Sequence, residues 1–226
     1  MVADKSHKPK VHTGYLAVFD SIHELHKVFE SVDENQMSLA REKAVRAANI
    51  NDVQIVNFMR NQLGSVVLFS GGGIVRQNTF DTVSKKFIHM HPGLLPAVRG
   101  ADCFFWSVLV DGYPSCTAMY QNAGIDTGEI LHEDSFELPK FNDKFVKNLR
   151  EKNSLEIFYE ILYRSILDFY DPVMRSATLS GVLNKVSNGE EIDSLPVRNQ
   201  SYSEGRNYHF MHPRLRNKLI DLMLQR

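Results

Sequence analysis

FIHMHPGLLPAVRGA, residues Phe87 to Ala101, is the stretch from which the fold can be read. It leaves a strand, Lys86 to His91, and passes at once into backbone that is stiffened by Pro92 and Pro96 and allowed to bend sharply at Gly93 and Gly100. Side chains alternate faces along a strand, so His89 and His91 point to the same side. Further on, NAGIDTGEIL, Asn122 to Leu131, sets Asp126 in a turn whose flanking Gly124 and Gly128 let the chain fold tightly and aim a carboxylate.

Working outward, the apolar, partly β-branched run Ser65 to Ser70 has the character of a strand buried on both faces. Three glycines, Gly71 to Gly73, follow it, then a short helix from Asn78. ADCFFWSVL, between Gly100 and Leu109, suits a helix on a sheet, and Ser115 to Tyr120 another strand. Strand, helix, strand in that order predicts the α/β class, with an open, mostly parallel, Rossmann-like sheet. Ligands of such sheets bind beyond the carboxyl ends of the strands. Gly71 to Gly73, His89 to Pro96 and Asn122 to Thr127 are all expected on that edge.

Three parts are expected. Residues 1–14 are a polar, flexible lead. Residues 15–140 form the α/β core, opening with an amphipathic helix over Tyr15 to Val32, of which Tyr15 to Phe19 could instead be a short strand. A helix capped by Asp52 runs from Val53 to Leu63. Residues 141–226 form a mostly helical region packed on the core. Its helices span Ser154 to Tyr170, ended by Asp171-Pro172, then Val173 to Val186, and after a loop from Ser187 to Arg206, Pro213 to Gln225.

With 26 Lys and Arg against 27 Asp and Glu, no chain-wide field draws the protein to nucleic acid or an anionic membrane. The charged, polar start MVADKSHKPKVH reads as neither signal peptide nor membrane span. Cys103 and Cys116 lack CxxC spacing and read as reduced core thiols of a cytoplasmic protein.

A histidine near neutral pKa beside a positioned carboxylate is a proton-transfer pair, and a second polar side chain can stabilise a developing oxyanion. His89, His91 and Asp126 fit those parts. A structural histidine at a strand end and a plain loop turn account for the same residues. So does a zinc or iron site, which needs a further good ligand, for which His132 is nearest in sequence.

HPGLLPAVRGA followed by GIDTGEIL, with Asp126 thirty-five residues after His91, resembles the folate-dependent formyltransferase family. That family includes the methionyl-tRNA, glycinamide ribonucleotide and sugar N-formyltransferases. The resemblance, over roughly Val66 to Leu131, implies a sheet of the formyltransferase type and an enzyme moving a formyl group from N10-formyltetrahydrofolate to an amine. It carries the proton shuttle and oxyanion donor onto His91 and the carboxylate that orients and charges that histidine onto Asp126. His89 stands where the family carries an Asn that donates to the oxyanion. The backbone of Gly73, Ile74 and Val75 would hold the pterin ring, with Asn122, Gly124 and Ile125 closing over its other side. QSYSEGRNYHFMHPRLR, Gln200 to Arg216, resembles the part of sugar formyltransferases where a Tyr lies near the sugar. This places Arg206 and Tyr208, with Arg214, at a nucleotide-linked amino sugar. The implied partner is therefore a small-molecule amine, with no metal, nucleic acid or membrane, and with room for a homodimer. Formyl hydrolysis by the same residues, and folate binding without turnover, are the alternatives.

Overall fold

The computed structural model describes residues 17–20, 44–71, 73–187 and 189–225. The lead expected at residues 1–14 lies outside these residues, as does most of the helix expected over Tyr15 to Val32. Of that segment, Phe19 forms an antiparallel bridge with Phe141 and is buried against Tyr170.

The chain then runs α1 (Val53–Asn61), β1 (Val66–Phe69), α2 (Gln77–Val83), β2 (Lys86–His91), β3 (Val98–Gly100), α3 (Cys103–Asp111), β4 (Ser115–Tyr120) and β5 (Ile130–Ser135). After these come α4 (Asp143–Lys152), α5 (Leu155–Ser165), a π-helical turn (Ile166–Tyr170), α6 (Asp171–Ser187), a 3-10 turn (Tyr202–Glu204), β6 (Arg206–Tyr208) and α7 (Pro213–Leu224). Strands β2 and β4 have the expected bounds. The Asp52 carboxylate does not cap α1; it turns back to the Ala48 amide at 2.8 Å and the Asn49 side-chain amide at 2.9 Å.

The α/β class with a helical carboxyl-terminal part is as expected. Within the described residues the main sheet has the order β1-β2-β4-β5, parallel between β1 and β2 and antiparallel at the other two pairings. Strand β4 is buried throughout, as a central strand should be, while β1 is at the edge and leaves Leu68 half exposed rather than buried on both faces. From β2 the chain passes through β3 and α3 and returns to the main sheet at β4, antiparallel to β2 although β4 is buried throughout. A second, two-stranded sheet pairs β3 with β6, which begins at Arg206, the last residue of the stretch expected to be loop.

The carboxyl-terminal helices share one hydrophobic cluster with the inner strands: Phe158, Leu162, Ile166, Met174, Val182 and Ile220 lie with Ile88, Met90, Phe104 and Ala118. Asp171-Pro172 does not end the helix. The Asp171 amide bonds back to the Ile166 carbonyl, five residues earlier, and Pro172 falls in the first turn of α6, where a missing N–H costs little. The inserted π turn re-phases the helix so that Leu167, Asp171 and Arg175 line a pocket above β2.

Candidate active site

The pocket lies where β2 ends. His89 and His91 stand on one face of β2, opposite Met119 and Thr117 of β4, and with Pro92, Gly100, Asp102, Cys103, Phe104 and Asp126 they line it from the sheet side. Two devices hold the loop after β2. Thr117 Oγ1 donates to the Gly93 carbonyl at 2.6 Å and accepts from the Leu95 amide at 3.1 Å. Gly93 also allows the chain to double back: a Cβ there would lie 2.8 Å from His91 Nε2 and 2.9 Å from the Val98 oxygen.

Those two atoms are themselves bonded, at 2.8 Å. A carbonyl only accepts, so His91 Nε2 carries the proton and, in the neutral ring, Nδ1 carries the lone pair. That Nδ1 faces Asp126 Oδ1 at 3.5 Å. Burial pulls the His91 pKa below its ordinary value, while the Asp126 charge and the Val98 carbonyl pull the other way. The imidazole is thus a neutral acceptor with an anion waiting beside the atom that would become charged.

Asp126 does not reach the site from the carboxyl edge of a parallel strand. Strand β4 ends beside the amino half of β2, with the Gln121 amide on the Phe87 carbonyl, and the turn folds back over the sheet face. Asp126 sits in the left-handed region at φ 51°, a conformation that Asp tolerates better than most residues. Its Oδ2 accepts the Gly100 amide at 2.8 Å, and its backbone oxygen accepts from Arg99 Nε and Gln200 Nε2, each at 3.1 Å.

His89 is placed beside His91, with ring centroids 6.4 Å apart, but it does not offer the donor that the sequence reading asked of it. Its Nδ1 lies 2.8 Å from the Phe69 carbonyl oxygen. The one proton of the neutral ring is therefore used on the backbone, and Nε2 is left as an acceptor. Burial pushes the His89 pKa down to about 4, so the ring is neutral at pH 7.

Asp102, Leu167, Asp171 and Arg175 also line the pocket, with no site role to be read from the sequence. Asp171 and Arg175 are an i,i+4 ion pair at 2.7 Å, a spacing visible in DPVMR, but nothing in the sequence tells that the pair faces inward. Arg175 also donates to the Met90 carbonyl at 2.7 Å, and Asp171 Oδ1 is buried with no hydrogen-bond partner. Burial raises the Asp171 pKa, and Arg175 opposes it. Arg99, inside the opening motif, was also missed as a site residue. It is among the most buried side chains of the protein and donates to Asp126, Gln200, Ser201 and Tyr202.

Of the residues assigned to the cofactor, Gly73 has φ 97° and Ile74 is 71 % exposed, whereas Val75 is buried in the small cluster under α1 and α2. The Asn122 side chain accepts from the Gly124 amide and the Thr127 hydroxyl, which closes the turn and leaves Ile125 exposed. Arg206 and Tyr208 lie on β6, behind β3, and neither lines the pocket of His91. Tyr208 stacks on Trp106 at 4.6 Å, and Trp106 donates to the His209 carbonyl. Among the described residues His132 does not join the cluster of His89, His91 and Asp126; it pairs with Asp134 at 3.3 Å on β5.

The formyl transferase domain profile matches residues 17–154, more than half of the chain, and spans every part of this pocket up to β5. The chain belongs to the formyl transferase family. Among curated relatives, the methionyl-tRNA formyltransferase of Rickettsia bellii is 32% identical over 104 residues, which is 46% of this chain and 31% of that protein. The enzyme of the same name from Borrelia duttonii is 29% identical over 112 residues, 49% of this chain and 36% of that protein. The chain thus spans about a third of the length of the curated relatives it matches. Among solved structures, methionyl-tRNA formyltransferase from Clostridium thermocellum aligns with a TM-score of 0.45 at 16% identity, over 75% of this chain and 60% of that one. The formyltransferase PseJ from Anoxybacillus kamchatkensis aligns with a TM-score of 0.37 at 20% identity, over 65% of each chain.

Proposed function

We propose that this chain transfers a formyl group from N10-formyltetrahydrofolate to the amine of a small acceptor. The observation that carries the reading is the buried His91–Asp126 pair at the end of β2, with the lone pair of His91 on Nδ1 and the carboxylate 3.5 Å from it. The acceptor nitrogen attacks the formyl carbon, forming the new C–N bond. Nδ1 of His91 takes a proton from that nitrogen, and Asp126 stabilises the imidazolium so formed. Collapse of the tetrahedral adduct breaks the bond between the formyl carbon and N10. The proton returns from His91 to N10, which leaves as tetrahydrofolate.

Gly73, Ile74 and Val75 on one side, and Asn122, Gly124 and Ile125 on the other, are the pterin-binding residues in this reading. Exposure of Ile74 and Ile125 supports it, since both present apolar surface to solvent. We assign a nucleotide-linked amino sugar as acceptor, with Arg206 and Tyr208 at its nucleotide end. The near-neutral charge supports a small acceptor over tRNA. Tetrahydrofolate release, followed by absorbance with and without a panel of nucleotide-linked amino sugars, tests the reading. Release that requires an acceptor supports transfer. Release at the same rate with water alone points to the hydrolase, and no release in any sample overturns both.

A further inference from the structure

We propose that His89, His91 and Asp126 form a binding site for one divalent transition-metal ion of the zinc class. One ligand atom from each of the three lies within 4.8 Å of the others. In tetrahedral zinc sites with bonds of about 2.0 to 2.2 Å, ligand atoms stand roughly 3.3 to 3.6 Å apart. His91 Nδ1 and Asp126 Oδ1, at 3.5 Å, already meet that spacing. The His89 ligand atom completes the set within 4.8 Å, a gap that a small side-chain movement closes.

The hydrogen bonds support this assignment independently of the distances. A ligating histidine ordinarily gives its other ring N–H to a backbone carbonyl or carboxylate, which fixes the tautomer and aims the lone pair. Both histidines do so, His89 through Nδ1 to Phe69 and His91 through Nε2 to Val98. Asp126 is anchored in the same manner, with Oδ2 on the Gly100 amide and Oδ1 facing His91. Each of the three residues thus has one polar atom held by the main chain and contributes to a single cluster of ligand atoms. Such a cluster repels itself until a cation or a proton enters. Asp171 adds a buried oxygen without a hydrogen-bond partner on the facing wall. Two imidazoles with one carboxylate suit zinc or iron(II) better than magnesium or calcium, which favour oxygen ligands.

The ion and the transferred proton would claim the same lone pair on His91, so a loaded site is silent in formyl transfer by the route above. The inference itself stands on binding and not on turnover. Protein made without a histidine tag is stripped with a chelator and titrated with zinc by calorimetry and with cobalt(II) by visible d–d absorption. Wild-type protein is expected to take up one equivalent of either ion. His89→Asn and Asp126→Asn, both close in shape and checked for folding by circular dichroism, are expected to bind at least about tenfold more weakly. His132→Ala, which removes the other histidine–aspartate pair, is expected to bind as wild type. No stoichiometric uptake, or equal affinity in His89→Asn, overturns the site. Tetrahydrofolate release is measured on the same stripped samples. Release without metal uptake sinks the site and leaves formyl transfer standing, and metal uptake without release does the reverse.

Discussion

Arg99 and Gln200 converge on one atom: Nε of the first and Nε2 of the second both donate to the backbone oxygen of Asp126, each at 3.1 Å. They also bond to each other, Arg99 Nη2 lying 2.7 Å from Gln200 Oε1. The carbonyl of Asp126 is thereby fixed from a segment more than seventy residues downstream. Replacing Arg99 with Met fills much of the volume and leaves the Asp126 carbonyl with Gln200 as donor, but takes the donor from Gln200 Oε1 and from the Ser201 and Tyr202 carbonyls. At about 1 to 3 kcal/mol for each buried group left unpaired, Arg99→Met is expected to cost at least about 3 kcal/mol in urea unfolding. Stability within half a kcal/mol of wild type would contradict this account.

Asp126→Asn keeps an oxygen for the Gly100 amide and removes the charge beside His91. The variant should melt within a few degrees of wild type while tetrahydrofolate release falls by about 10²- to 10⁴-fold, the usual worth of a positioned acid or base. His91→Asn is expected to show a loss of the same order. Comparable loss of folding in either variant, seen by circular dichroism, would reassign the pair to a structural role.

The two glycines flanking Asp126 should differ sharply. A Cβ on Gly128 would lie 1.6 Å from the Tyr120 backbone oxygen, whereas one on Gly124 would meet the Thr127 hydroxyl at 2.1 Å, a side-chain end that can rotate away. Gly128→Ala is expected to cost more than about 3 kcal/mol and to displace the turn. Gly124→Ala is expected to cost no more than about 1.5 kcal/mol, the worth of the Thr127–Asn122 hydrogen bond that it breaks. Melting curves of the pair decide it, and equal effects refute the distinction.

Cys103 and Cys116 are buried free thiols, and burial raises both pKa values, that of Cys116 to about 12. The neutral thiol is the form held in the fold, so little thiolate exists at pH 8. Reaction of native protein with an aromatic disulfide reagent is expected to run about a thousandfold slower than that of an exposed cysteine, and to accelerate on unfolding in urea. Two thiols titrated rapidly without denaturant would show that the strands around them open.

Much of this was open to reading in the sequence. The alternation of KFIHMH set the face shared by His89 and His91, and the glycines around Asp126 marked a turn able to aim it. Strand direction was not legible, because apolar runs look alike in parallel and antiparallel pairs, so Asp126 was assigned to the site by the wrong route. The role of His89 was hidden for a different reason: which nitrogen holds its proton is decided by the Phe69 carbonyl across a parallel register. Arg99, Asp171 and Arg175 depended on contacts with segments distant in sequence, which no local spacing records. Cys103 and Cys116 needed no such contacts to be read as core thiols.

The π turn at Ile166–Tyr170 makes the far wall of the pocket a matter of counting. Each residue of a helix turns its successor by about 100°, so the one residue accommodated there sets which side chains of all of α6 face β2. Loss of a single residue between Ile166 and Tyr170, whatever its identity, would rotate Asp171 and Arg175 away from His91 together. Natural variants of this chain can therefore change what the pocket admits through length alone, with every wall residue still present in the sequence.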